Sequence, residues 1–288
     1  MHMTADNFYV TSDGARIYFE DRGEGFPIVM VPGFLCTTRF FEKNAGVLAE
    51  KYRVITMDPR GQGYSSKCIY GNTIQRHAQD IRELLEYLEL DHVVLLGWSL
   101  SASTVVEYAK DFKEARLSGL VVVDGSLYPA SHAEWNHHRA RAYDLDNWFE
   151  NYLPLYSNPE EFYQCFIRRI SCKGGMDEDT RQWIVKECKK TMPWSAIELH
   201  YDFIHTDNYQ SLKNITVPFA AFGGSSEAYG LDMAEQYVKE VQGYSEINAF
   251  YESGHLMFLY EAEKFNRCLS NFADRCYNLS MKVNKEDY

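Results

Sequence analysis

The chain has 288 residues, 45% of them hydrophobic and 24% charged, with a formal net charge of −12 at pH 7. This size and composition suit a globular protein with a large buried core, built as one domain or as one domain carrying a sizeable insertion. The acidic balance opposes both phosphate backbones and anionic lipid surfaces, which excludes nucleic acid and membranes as expected partners.

Seven cysteines form an odd set without a CxxC pair. The first ten residues lack a basic-then-apolar signal pattern, and no apolar run approaches the ~20 residues that span a bilayer. The expectation is a cytoplasmic protein with reduced thiols and no metal site.

In chain order, residues 7–11 and 15–19 flank Ser12-Asp13-Gly14 as a predicted hairpin. Residues 27–31 and 54–57 are short apolar runs suited to buried strands. Residues 73–90 place Ile74, Ile81, Leu84, Leu85 and Leu88 at helical spacing. A strand at 93–96, a helix at 100–111 and a strand at 120–123 follow. The alternation stops at Asp124. Residues 125–213 show helical periodicity, no strong strand and many aromatics, among them Trp135, Trp148, Tyr152, Phe162, Phe166 and Trp194. Alternation resumes with a strand at 217–222, a helix at 233–241, a strand at 247–250 and a helix at 261–277. The polar residues 278–288 are expected to fray.

This rhythm predicts a mostly parallel, eight-stranded α/β sheet covered by helices on both faces, with its chemistry at the carboxyl ends of the strands. Residues 1–124 and 214–288 form the predicted core domain, and 125–213 a helical cap.

Ser99 sits in Gly97-Trp98-Ser99-Leu100-Ser101, directly between a predicted strand and a helix. The G-x-S-x-G pattern marks a strained strand-to-helix turn that exposes a nucleophilic hydroxyl. Here the second glycine is Ser101, also small. Taken by itself, Ser99 could equally cap the helix.

Further motifs point one way. Val31-Pro32-Gly33-Phe34-Leu35, Asp58-Pro59-Arg60-Gly61-Gln62-Gly63-Tyr64-Ser65 and Ser253-Gly254-His255-Leu256 accompany the serine turn. With them the chain resembles the α/β-hydrolase family over nearly its full length. One departure is Pro32, where many relatives have histidine. The Asp58–Ser65 segment is expected to be structural, fixed by hydrogen bonds of Asp58 and Arg60.

The resemblance implies the order serine, acid, histidine along the chain. His255, in the loop after the last predicted strand, becomes the base. The usual acid position, counted from Gly223, holds Ser226; counted from Gly224, it holds Glu227. A second family location lies directly after the sixth strand and holds Asp124. The run Val122-Val123-Asp124-Gly125-Ser126, with Trp135 downstream, resembles a hydrolase subgroup with serine at the usual place. Asp124 is therefore preferred, with Glu227 as the alternative. The implied oxyanion donors are the backbone N–H groups of Phe34 and Leu100. Phe34 and Trp98 flank the site as candidate substrate contacts.

The expected activity is serine hydrolysis of a small, fairly apolar ester, lactone or thioester, without cofactor or metal. Carbon–carbon bond hydrolysis, acyl transfer and a low-turnover ligand receptor remain alternatives on the same pocket.

Overall fold

A computed structural model describes residues 7–136, 145–171, 174–225 and 229–286. Its frame is an eight-stranded sheet of β1 (Phe8–Val10), β2 (Arg16–Arg22), β3 (Pro27–Val31), β4 (Arg53–Met57), β5 (Val93–Trp98), β6 (Leu117–Val123), β7 (Phe219–Gly224) and β8 (Ser245–Phe250). The order across the sheet is β1-β2-β4-β3-β5-β6-β7-β8. β2 pairs antiparallel with β1 and with β4, and every later pairing is parallel. The first hairpin turns at Ser12-Asp13-Gly14, where Thr11 N–H donates to the Ala15 carbonyl at 2.8 Å.

The central strands are continuous apolar runs because both of their faces are covered. On β3, Ile28 and Met30 point to one face and Val29 and Val31 to the other, as a two-residue side-chain period requires. The first face receives α1 (Glu42–Leu48), α10 (Met257–Tyr260) and α11 (Ala262–Glu286) through Ala45, Leu48, Phe258, Phe265, Leu269 and Phe272. The second receives α2 (Ile74–Tyr87), α3 (Leu100–Asp111) and α9 (Leu231–Glu240) through Ile81, Leu84, Val105, Val106, Met233 and Tyr237.

Helix ends follow local chemistry. The hydroxyl of Thr73 accepts from Arg76 N–H at 3.1 Å and starts α2 one residue inside the predicted span. Glu89, at φ +52°, takes the left-handed conformation that ends the helical path. At the other terminus α11 continues to Glu286, into the segment expected to fray. Residues 278–286 contain no glycine or proline to stop a helix, and leucine, methionine, lysine and glutamate sustain it.

Between β6 and β7 the described residues form α4 (Leu145–Tyr152), α5 (Pro154–Ser157), α6 (Pro159–Ile170), α7 (Glu178–Cys188) and α8 (Pro193–His205). Proline opens α5, α6 and α8, at the helix position where its missing N–H costs nothing. Trp148, Tyr152, Phe162, Ile167, Ile184 and Phe203 pack into the same apolar cluster as Phe34, Phe40 and Trp98 from the loop after β3 and the end of β5. Among the described residues no helix is long and apolar enough to cross a membrane.

Candidate active site

Ser99 follows β5 at φ +59° and ψ −125° and stands at the N-cap of α3 without making a side-chain capping bond. Its hydroxyl instead lies 3.0 Å from His255 Nε2, and His255 Nδ1 lies 2.6 Å from Asp124 Oδ2. In the tautomer in which Nδ1 donates to the carboxylate, Nε2 accepts from the serine hydroxyl. Ser99, His255 and Asp124 are 9%, 3% and 5% exposed, so the chain of hydrogen bonds is shielded from water but open at its serine end. Three residues far apart in sequence thus meet at the ends of β5, β6 and β8.

Backbone conformation aims these side chains. Leu35, Ser99 and Asp124 all have positive φ although none is glycine, at +64°, +59° and +40°. Such conformations persist only where neighbouring structure holds them. One lies in each of the loops after β3, β5 and β6.

The loop after β3 lies directly against the serine. A Cβ on Gly33 would sit 2.6 Å from Ser99 Cβ, so only glycine allows this approach. Leu100 is the first residue of α3, and its N–H has no acceptor within the helix. The same helix end presents partial positive charge beside Ser99. Phe34 and Leu100 therefore stand on opposite sides of Ser99 in sequence, in the loop packed against it and at the helix start beside it.

Gln62 holds that loop in shape. Its Oε1 accepts from Leu35 N–H at 2.8 Å, and its Nε2 donates to the carbonyls of Gly33 at 3.1 Å and Cys36 at 2.9 Å. Gln62 occupies an unspecified position of its motif, so its sequence context does not mark it. The available signal was an amide inside a tight, glycine-bounded loop. Its neighbours act as expected of a structural segment. Asp58 accepts from Thr38 N–H at 2.6 Å and Tyr64 N–H at 2.7 Å, while complete burial pushes its carboxyl up to about 6. Arg60 is buried and forms a two-pronged pair with Asp80 at 2.7 and 2.8 Å.

The two candidate substrate contacts sit differently. The Phe34 ring meets Tyr152, Phe166 and His200 edge-on, with centroids 6.0, 6.2 and 5.0 Å away. The Trp98 ring is 1% exposed, and its indole N–H donates to the His255 carbonyl at 3.1 Å. Trp98 therefore supports the histidine loop. Tyr229, which sequence reading did not single out, places its ring 5.5 Å from His255. His200 is stacked on Tyr152 at 3.7 Å and accepts from Trp148 Nε1–H at 3.0 Å, and burial drives its pKa well below the usual histidine value. Ser226 and Glu227 lie outside the described residues.

Comparison with known proteins agrees with this architecture. A family model described as the alpha/beta hydrolase fold matches residues 27–161. The chain is similar to the AB hydrolase superfamily protein YisY of Bacillus subtilis, 22% identical over 93% of this chain and 99% of that one. Among solved structures it resembles a bromoperoxidase from Bacillus anthracis, with a TM-score of 0.83 and 24% identity over 91% of this chain and 96% of that one. It also resembles the esterase EaEST from Exiguobacterium antarcticum, with a TM-score of 0.82 and 26% identity over 93% and 99%.

Proposed function

We propose that this chain, which belongs to the α/β-hydrolase fold family, is a serine hydrolase that cleaves a small, fairly apolar carboxylic ester, lactone or thioester through an acyl-enzyme. The observation that carries the proposal is the continuous path from Asp124 through His255 to a serine hydroxyl that makes no capping bond to its own helix. A helix-capping serine has no need of a histidine aligned by a buried carboxylate; a nucleophile does.

In this reading Ser99 Oγ attacks the acyl carbonyl while His255 Nε2 takes its proton. Asp124 keeps the ring in the required tautomer and stabilises the imidazolium that forms. The backbone N–H groups of Phe34 and Leu100 bind the oxyanion, where one such donor contributes about 100- to 1000-fold in rate. His255 then protonates the leaving alcohol or thiol, and a water activated by the same histidine releases the acid. Metal or cofactor chemistry has no part in these steps.

Residues 125–213 serve as a cap over the site, and the core comprises 1–124 and 214–288. Phe34 belongs to both surfaces, since its backbone lies beside Ser99 and its ring packs against α4, α6 and α8. The aromatic packing of Phe34 against Tyr152 and Phe166 favours an apolar acyl group.

The test is labelling with a fluorophosphonate, which modifies only an activated serine, alongside hydrolysis of nitrophenyl esters of graded acyl length. Wild-type protein becomes labelled at Ser99 and shows turnover with short or medium chains; Ser99→Ala shows neither. Folded wild-type protein that resists labelling would refute the proposal.

A further inference from the structure

We infer that Tyr237 is a positioning residue for Asp124, acting through the turn that carries the carboxylate rather than by touching it. This rests on the reading of Asp124 as the triad acid.

The acid stands at an unusual backbone position. Its N–H still donates to the Phe222 carbonyl at 2.8 Å, continuing the parallel ladder between β6 and β7. Its φ of +40° then turns the chain sharply out of the strand. The next residue lies against the nucleophile: a Cβ on Gly125 would fall 2.1 Å from the Ser99 carbonyl oxygen. A small movement of this turn would press on Ser99 or withdraw Asp124 from His255. An L-residue in the left-handed region relaxes unless its surroundings hold it.

Tyr237 supplies that hold. Its hydroxyl donates to the Gly125 carbonyl at 3.2 Å and accepts from Leu127 N–H at 3.0 Å, so one atom bridges the two sides of the turn. The Leu127 carbonyl is fixed in turn by Asn208 N–H at 2.8 Å. The tyrosine is itself immobile. It is 2% exposed on α9 and has edge contacts to Trp135 and a tilted contact to Tyr209, both at 6.2 Å. Trp135 stacks on Tyr209 at 4.4 Å, and the Tyr209 hydroxyl bonds Glu240 and Gln236 at 2.8 Å each. Burial raises the pKa of the Tyr237 hydroxyl, which favours its protonated, hydrogen-bond-donating form.

The deciding experiment is a double-mutant cycle between Tyr237→Phe and Asp124→Asn, using whichever nitrophenyl ester the wild type turns over. Phenylalanine keeps the ring and its packing and deletes both hydrogen bonds; thermal unfolding confirms that each variant is folded. Tyr237→Phe is expected to lower kcat about tenfold with KM changed less than twofold, in keeping with the loss from a small misplacement of catalytic groups. The acid limb of its kcat/KM profile moves to lower pH, because a misaligned carboxylate supports the imidazolium less. Asp124→Asn with Tyr237→Phe together should be no slower than Asp124→Asn alone, since the tyrosine acts only through the acid. Unchanged kcat and pH profile in Tyr237→Phe, or losses that multiply in the double variant, overturn the inference while leaving the triad reading intact. Wild-type activity in Asp124→Asn instead overturns the triad reading and this inference with it.

Discussion

Ser101 donates a 2.6 Å hydrogen bond from its hydroxyl to the carbonyl of Pro32, joining two of the positions at which the chain departs from common family patterns. Serine stands where the nucleophile turn commonly has its second glycine, and proline stands where many relatives have histidine before the loop glycine. The bond ties the first turn of α3 to the end of β3, and so ties Leu100 to the loop carrying Phe34. These are the two proposed oxyanion donors. Their separation is what an oxyanion hole must fix.

Removing that tie should cost both stability and rate. Ser101→Ala deletes a buried hydrogen bond, worth about 1 kcal/mol. The expected result is a modest fall in thermal midpoint with a several-fold drop in kcat and little change in KM. Thermal unfolding and steady-state kinetics on one ester check it. A fall in stability without any loss of kcat would show that the bond supports the fold alone.

Gln62 should matter more, because its three bonds all go to the backbone of the loop after β3. Gln62→Leu leaves the Leu35 N–H and the Cys36 carbonyl without the Gln62 amide, each at a cost of about 1–3 kcal/mol, while the Gly33 carbonyl keeps the Cys36 N–H at 3.1 Å. Relaxation of the loop would displace the Phe34 N–H, and loss of one oxyanion donor lowers kcat about 100- to 1000-fold. The expected outcome is a kcat loss within or just below that range. Gln62→Glu is an informative companion: a carboxylate can still accept from Leu35 but faces the two carbonyls without a proton to donate. It should therefore resemble leucine rather than glutamine in kcat, and kinetics with both variants tests this.

The choice of acid has a direct measurement. Asp124→Asn should lower kcat by more than about 100-fold, because an amide favours the wrong histidine tautomer, as in other serine triads. Glu227→Gln should change kcat little. Kinetics on the two variants side by side decides between them, and the reverse ranking would move the acid to Glu227.

Much of this site was legible before any coordinates, for physical reasons that differ by residue. Ser99 is legible as a candidate because the strand-to-helix turn that carries it needs small residues on either side. His255 was readable from chain order once the family resemblance stood. Asp124 is legible as the preferred acid candidate because Ser226 cannot carry charge at the usual acid position. Helix and strand cores followed from periodicity, and α3 and β3 match residue for residue. What sequence could not show is how the loops are held. Gln62 and Tyr237 work through backbone atoms of distant segments, and nothing local marks them: Tyr237 is one of 21 tyrosines and lies on an ordinary amphipathic helix. The extension of α11 was missed because polar residues read as fraying, although helix propensity alone permits them to continue.

Acid sensitivity of the fold follows from two buried histidines. His77 on α2 is fully buried, faces Arg60 and Arg76, and has its pKa pushed down to about 3 by burial and by those two positive charges. Its Nε2 has no hydrogen-bond partner among the described residues. The unfolded chain protonates this ring near its ordinary value of 6.5, while the folded protein keeps it neutral. Between those values the unfolded state binds the extra proton, so stability is complete above pH 6.5 and falls as pH drops, by at most about 1.4 kcal/mol per pH unit. His200 is shifted in the same direction and adds to the effect. Asp58 opposes it: its carboxyl is raised from 3.8 to about 6, so acidification through that window favours the folded state. Comparing wild type with His77→Phe isolates one contribution. Urea unfolding at pH 7.5 and pH 5.0 should show the stability of wild type relative to His77→Phe shrinking by about 2 kcal/mol on acidification. An unchanged difference between the two proteins would mean that His77 is not held neutral by the fold.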